Sequence, residues 1–257
     1  MTRREQVLRE MGLAPLWRRR EPVGLALPQP AQDTISTEAA LIEAAAPMTA
    51  IVGADDERAG RIANLNWDEL KTGVAACRAC ALCEQRKQAV LGVGDVAADW
   101  LFVGEGPGAE EDERGEPFVG QAGKLLDAML AAIQLKRGQG VYIANTVKCR
   151  PPGNRTPEKG EIAACFPYLL RQIELLQPKL IVALGKPAAE SLLDDEVKVG
   201  AARGKLFDFR GIPMIVTYHP AYLLRTLNDK AKAWEDLCFA RRTMESLQCV
   251  PARSQTA

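Results

Sequence analysis

The chain has 257 residues, 47% of them hydrophobic, which is ample for one sizeable buried core. Lysine plus arginine equals aspartate plus glutamate at 33 each, so bulk charge announces no nucleic-acid partner, and any such contact must come from local basic loops. No run of about 18 uncharged apolar residues occurs, and the opening MTRREQVLREMGLAPLWRRR lacks the apolar centre of a signal peptide; the expectation is a cytoplasmic protein without a membrane span.

Residues 1–20 read as a short basic amphipathic helix: Val7, Leu8, Met11 and Leu13 supply the apolar positions, and arginines recur from Arg3 to Arg20. A partner-docking role is preferred there to a DNA-binding arm. Residues 21–62, rich in alanine, proline and small polar residues without sustained periodicity, read as a disordered linker. A domain is expected over 63–250, followed by a tail at 251–257. Within it, short apolar runs alternate with helical periodicity, the pattern of an α/β layer fold. Candidate strands are Trp100 to Val103, Val141 to Val147, Leu180 to Leu184 and Met214 to Thr217; candidate helices are Gln121 to Leu135, Pro157 to Leu176, Lys186 to Leu193 and Lys230 to Leu247. In the second helix Ile162, Cys165, Phe166, Leu169, Leu170, Ile173 and Leu176 give one apolar face, and Thr156 with Pro157 fits its start.

Each strand runs into a loop of unusual chemistry: Gly104-Glu105-Gly106-Pro107-Gly108, Lys148-Cys149-Arg150-Pro151-Pro152, Gly185-Lys186-Pro187 and Tyr218-His219-Pro220. In open parallel sheets ligands bind at the carboxyl ends of strands, so these loops are expected to line one cleft. His219 is the only histidine, and every imidazole role must fall there.

Seven cysteines, an odd number in a chain without an export signal, argue against a disulfide framework. Cys77, Cys80 and Cys83 form C-x2-C-x2-C, with Cys149 and Cys165 far downstream. A close pair chelating one side of a metal centre and two remote thiolates completing a set of four fit zinc and an iron–sulfur cluster alike. A cysteine on an apolar helix face, as at Cys165, is otherwise a small core residue, and Cys238 and Cys249 are read that way.

From Trp67 to Leu247 these motifs, with Glu110-Glu111-Asp112, Pro117-Phe118-Val119-Gly120, Tyr142-Ile143-Ala144-Asn145 and His219-Pro220-Ala221-Tyr222-Leu223-Leu224 in the same order, resemble the family 4 (iron–sulfur) uracil-DNA glycosylases. The resemblance implies a three-layer α/β/α sandwich around a mainly parallel four-stranded sheet. It implies a 4Fe-4S cluster on Cys77, Cys80, Cys149 and Cys165, with Cys83 a bystander. It also implies excision of uracil from DNA in base excision repair. A monomer is expected, with its N-terminal arm meeting a replication or repair protein.

An extruded base must be held once unstacked. On the resemblance, Phe118 stacks on uracil, and Asn145 accepts from N3–H and donates to O4, a pattern cytosine inverts. Such paired hydrogen bonds can reject the wrong base by roughly 10⁴ to 10⁵. Charge develops on O2 as the bond breaks, and His219, with backbone N–H groups around Gly104, Glu105 and Gly106, supplies donors. Glu105 positions water or stabilises the sugar cation. Glu110, Glu111 and Asp112 read as loop-capping groups, with Glu111 a candidate for the uracil C5 edge. Leu223 and Leu224 form a wedge, and Arg225, Arg150 and Arg155 hold flanking phosphates. The rival readings are a non-catalytic iron–sulfur DNA-binding module of replication proteins and a zinc-stabilised nucleotide hydrolase.

Overall fold

The apolar runs pair side by side because each is hydrophobic on both faces, which only a sheet covered on both sides can bury. A computed structural model describes residues 51–249. The basic segment 1–20, the linker as far as residue 50 and the tail at 251–257 lie outside the described residues. Helices α1 (Ile51–Ile62), α2 (Trp67–Ala76) and α3 (Leu82–Gln85) precede strand β1 (Val93–Gly94). The chain continues through β2 (Trp100–Gly104), α4 (Ala109–Arg114), α5 (Gln121–Ala132), β3 (Val141–Asn145), α6 (Lys159–Leu176), β4 (Leu180–Leu184) and α7 (Lys186–Leu193). It ends with α8 (Val199–Ala202), β5 (Leu206–Phe209), β6 (Ile212–Thr217), α9 (Pro220–Arg225) and α10 (Lys230–Cys249).

The sheet has six strands in the order β1-β3-β2-β4-β6-β5. The inner four run parallel, with Trp100 opposite Val141 on one side and Leu180 on the other. These are the four expected strands. The expected count of four is corrected by the antiparallel edges β1 and β5. Both edges are short: β1 is two residues with a glycine, and β5 is partly exposed, so neither carries a continuous apolar signature.

Strand residues alternate between two cores. Leu101, Val103, Ile181, Ala183, Met214 and Val216 pack with Leu169 and Ile173 of α6 and Ala188 and Leu192 of α7. Phe102, Ile143, Val182 and Ile215 pack on the other face with Leu126 and Leu130 of α5 and Ala240 and Met244 of α10. Among the described residues no helix is long and apolar enough to cross a membrane.

Several boundaries move: β3 ends at Asn145 rather than Val147, α5 at Ala132 rather than Leu135, and β6 begins at Ile212 rather than Met214. Helix α6 begins at Lys159 with Glu158 as its cap, where Glu161 accepts from the Glu158 N–H at 2.7 Å; Thr156 and Pro157 lie in the preceding loop. Residues 51–62, placed in the linker from composition, form α1, which packs on α6. Ile62 is buried with Leu70, Val74 and Tyr168, and the Arg58 guanidinium lies 5.2 Å from the Tyr168 ring centre. Removing residues through Ile62 is therefore expected to lower unfolding free energy by at least about 1.5–3 kcal/mol, the worth of one buried isoleucine, relative to a chain beginning at Ile51. Urea midpoints of the two truncated proteins check this.

Candidate functional site

Parallel strands bring their carboxyl ends to one edge, and the chain order reverses beside β2, which has β3 on one side and β4 on the other. There the four post-strand loops line a single cleft of about 660 Å³. It brings together Glu105, Gly106, Phe118, Asn145 and His219 with Lys186 and Tyr218 of the expected loops, and adds Tyr222.

Gly104 sits beneath this group. A Cβ there would lie 2.5 Å from both Asn145 Oδ1 and the Phe118 ring, so only glycine lets the amide and the aromatic close over the strand end. Phe118 takes a left-handed conformation, φ 56°, costing about 1–3 kcal/mol. Its loop is held on three sides. Arg137 donates to the Pro117 and Phe118 carbonyls at 2.8 Å each. Gly123 in α5 packs so closely on the Phe118 carbonyl that a Cβ would collide with it. The Glu111 carboxylate accepts from Gly108, Val119 and Gly120 N–H groups, stapling the glycine loop to the Phe118 loop. That agrees with the capping role read for Glu111.

Asn145, the last residue of β3, is 2% exposed, and its Oδ1 has no hydrogen-bond partner in the protein. His219 caps α9, and its Nδ1 accepts from the Ala221 N–H at 3.1 Å, which leaves Nε2–H as the free donor. Burial, with the Arg225 charge in support and Glu111 opposing, lowers its pKa to about 4, so the ring is neutral at ordinary pH. Its ring centre lies 5.4 Å from that of Phe118. Burial pushes the Glu105 carboxyl up from its usual value, and a hydrogen bond with Thr156 partly offsets this.

The expected DNA contacts divide. Leu223 is 1% exposed and packs with Met129, Ile133, Ala233 and Leu237, which corrects its reading as a wedge; on a one-and-a-half-turn helix it faces inward while Leu224 is exposed. Arg225 and Arg155 border the cleft. Arg155 is held by two hydrogen bonds to Glu161, at 2.8 and 2.6 Å, and Arg150 donates to Asn154.

Cys77, Cys80, Cys83, Cys149 and Cys165 line a second, small cavity between α2, α3 and α6, together with Arg86, Lys148 and Tyr168. Three of the four expected ligand sulfurs receive an N–H, and the Leu82 backbone lies near the fourth. Arg58 donates to Cys77 at 3.7 Å, Arg86 to Cys149 at 2.9 Å and the Lys148 backbone to Cys165 at 3.2 Å. As protonated thiols, Cys80, Cys149 and Cys165 are pushed up by burial, Cys165 to about 12. Among the described residues no three His, Cys, Asp or Glu side chains are set to hold one metal ion.

Fold and cleft together define an α/β protein with a ligand crevice at the carboxyl edge of its sheet. The Uracil DNA glycosylase superfamily model matches residues 91–238. The chain is 45% identical over 169 residues to a type-4 uracil-DNA glycosylase of Pyrobaculum aerophilum, covering 63% of this chain and 86% of the relative. It is 40% identical over 194 residues to the type-4 enzyme of Saccharolobus solfataricus, covering 72% and 88%. A DNA polymerase of Bacillus phage SP01 is 29% identical over 144 residues, 56% of this chain and 16% of the polymerase. The chain belongs to the uracil-DNA glycosylase superfamily, among its type-4 members.

Gly104→Ala is expected to displace both Phe118 and Asn145 and to reduce uracil-release kcat/KM by about 100-fold, the cost of misplacing reacting groups by about an ångström. Circular dichroism should show the fold retained.

Proposed function

We propose that the chain hydrolyses the N-glycosidic bond of uracil in DNA, releasing free uracil and leaving an abasic site. The observation that carries this is the buried, unpartnered Oδ1 of Asn145 beside Phe118 and a neutral His219. An orphaned acceptor is unfavourable until a ligand N–H reaches it. Uracil N3–H does so while the amide Nδ2 donates to O4; cytosine offers a lone pair at N3 and an amine at C4, leaving both amide groups unmatched. Phe118 stacks on the base, and Gly104 and Gly106 let backbone approach it. His219 Nε2–H meets the charge that develops on O2, without a counter-charge that would bind the ground state equally well. Glu105, as a carboxylate, holds the attacking water or faces the cation-like sugar. Arg225 and Arg150 meet flanking phosphates, Leu224 enters the stack, and Arg155, already bound to Glu161, chiefly shapes the rim.

The cysteines fit a 4Fe-4S cluster on Cys77, Cys80, Cys149 and Cys165. Their sulfurs share one cavity, and the N–H donors and the cations Arg86 and Lys148 beside it offset the burial that otherwise keeps them protonated. When bound, the cluster would pin α2, the loop after β3 and α6 together. The purified protein should be brown with broad visible absorbance. Cys165→Ser should lose colour and iron, whereas Cys83→Ser should keep both; a colourless, zinc-loaded wild type overturns this part.

The polymerase relative favours a second reading, a DNA-binding module without catalysis, and the assay separates them. A uracil-containing oligonucleotide should yield free uracil and an alkali-labile site, with His219→Ala and Asn145→Ala each slower by about 10²–10³. Unchanged rates in both variants would overturn these roles. In acid, Glu105 loses its charge first, since its pKa is raised, so kcat/KM falls as pH drops through that raised value. His219, near 4, adds no inflection at its ordinary 6.5. A limb near 6.5 that persists in Glu105→Gln would count against this pairing. The chain is read as acting as a cytoplasmic monomer, with residues 1–20 meeting a replication or repair protein.

A further inference from the structure

Lys148 is 1% exposed, and a charge beside the cysteines does not account for where its ammonium is aimed. Its Nζ donates to the Asn145 carbonyl at 2.8 Å and to Gln172 Oε1. Gln172, fully buried on α6, is itself fixed by donating to the Leu91 carbonyl at 2.9 Å and the Tyr142 hydroxyl at 3.2 Å. The Lys148 backbone N–H bonds the Cys165 sulfur, and its carbonyl accepts from Val90 at 2.8 Å. One residue thus touches the carbonyl of the base-reading asparagine with its side chain and a cysteine of the second cavity with its backbone.

Strand β3 ends at Asn145, so this carbonyl lies where the ladder stops. The N–H end of that peptide is held, Thr146 donating to the Gly104 carbonyl at 3.0 Å, whereas its carbonyl end has only the Lys148 ammonium; without it the carbonyl could tilt and shift the Asn145 side chain. Resting on the uracil reading above, we propose that Lys148 is a positioning residue, which locks the Asn145 peptide so that its carboxamide faces the extruded base and ties that peptide to the cysteine centre through Cys165. An apolar residue of equal length would fill the space and leave the peptide unlocked.

A double-mutant cycle on the full-length protein tests this. Lys148→Met should reduce kcat/KM for uracil release by about 10- to 100-fold and weaken binding of an oligonucleotide carrying uncleavable 2′-fluorodeoxyuridine by a similar factor, with visible absorbance close to wild type and the protein folded at the assay temperature. In an Asn145→Ala background the same change should cost no more than about twofold, because the amide it positions is gone. A loss that adds in full onto Asn145→Ala overturns the proposal. Should Lys148→Met not accumulate as folded, coloured protein, Gln172→Leu, which removes the side chain that orients the ammonium, must show the same non-additivity or the proposal fails. A wild type that releases no uracil overturns the functional reading and this role with it; an active wild type with an additive cycle overturns only the role of Lys148.

Discussion

A carboxamide oxygen buried without a partner costs about 1–3 kcal/mol, and Asn145 keeps that cost only because nothing around it can move to relieve it. The peptide beneath is held by Lys148, the space beside it is closed by Phe118, and Gly104 permits the approach of both. Phe118 in turn sits in a strained conformation that Arg137 and Gly123 enforce, while Glu111 joins its loop to the glycine loop. Local strain and an unmet hydrogen bond are thus stored at one point and supported by an unstrained sheet beneath.

The same withdrawal from water acts on two ionisable groups in opposite senses of pKa and the same sense of charge. It raises Glu105 and lowers His219, so both lean toward neutrality. For the imidazole this is an advantage, because a neutral ring with Nδ1 tied to the Ala221 N–H presents its remaining N–H as a donor. For the carboxyl, the hydrogen bond with Thr156 at the cleft rim partly restores the charged form. Segment 145–149 then links this cleft to the cysteine cavity in only five residues, ending one site at Asn145 and beginning the other at Cys149.

The inner strands were readable because each is apolar on both faces, as a strand between two helical layers must be. The edges β1 and β5 were not, being short and partly exposed, and α1 was hidden by a composition that resembles linker until Ile62 and Arg58 meet α6 and Tyr168. Leu223 and Leu224 looked equivalent as neighbours; their opposite fates follow from which side of α9 faces α5 and α10. Lys148 stood in sequence only as the first residue of a post-strand loop, since sequence carries no sign that a lysine will be wholly enclosed.

Periodicity, residue type and spacing alone determined the parallel α/β core, the four loops that meet at one edge and the grouping of the cysteines. These follow from periodicity and residue type, which are local properties. Tertiary structure alone decided that Asn145 Oδ1 is left unpaired, that His219 is neutral, that Glu111 is a staple, that Leu223 belongs to the core and that Lys148 joins two sites. Each of those depends on burial and on partners distant in the chain, and desolvation is set by what folds around a group, not by its neighbours in sequence.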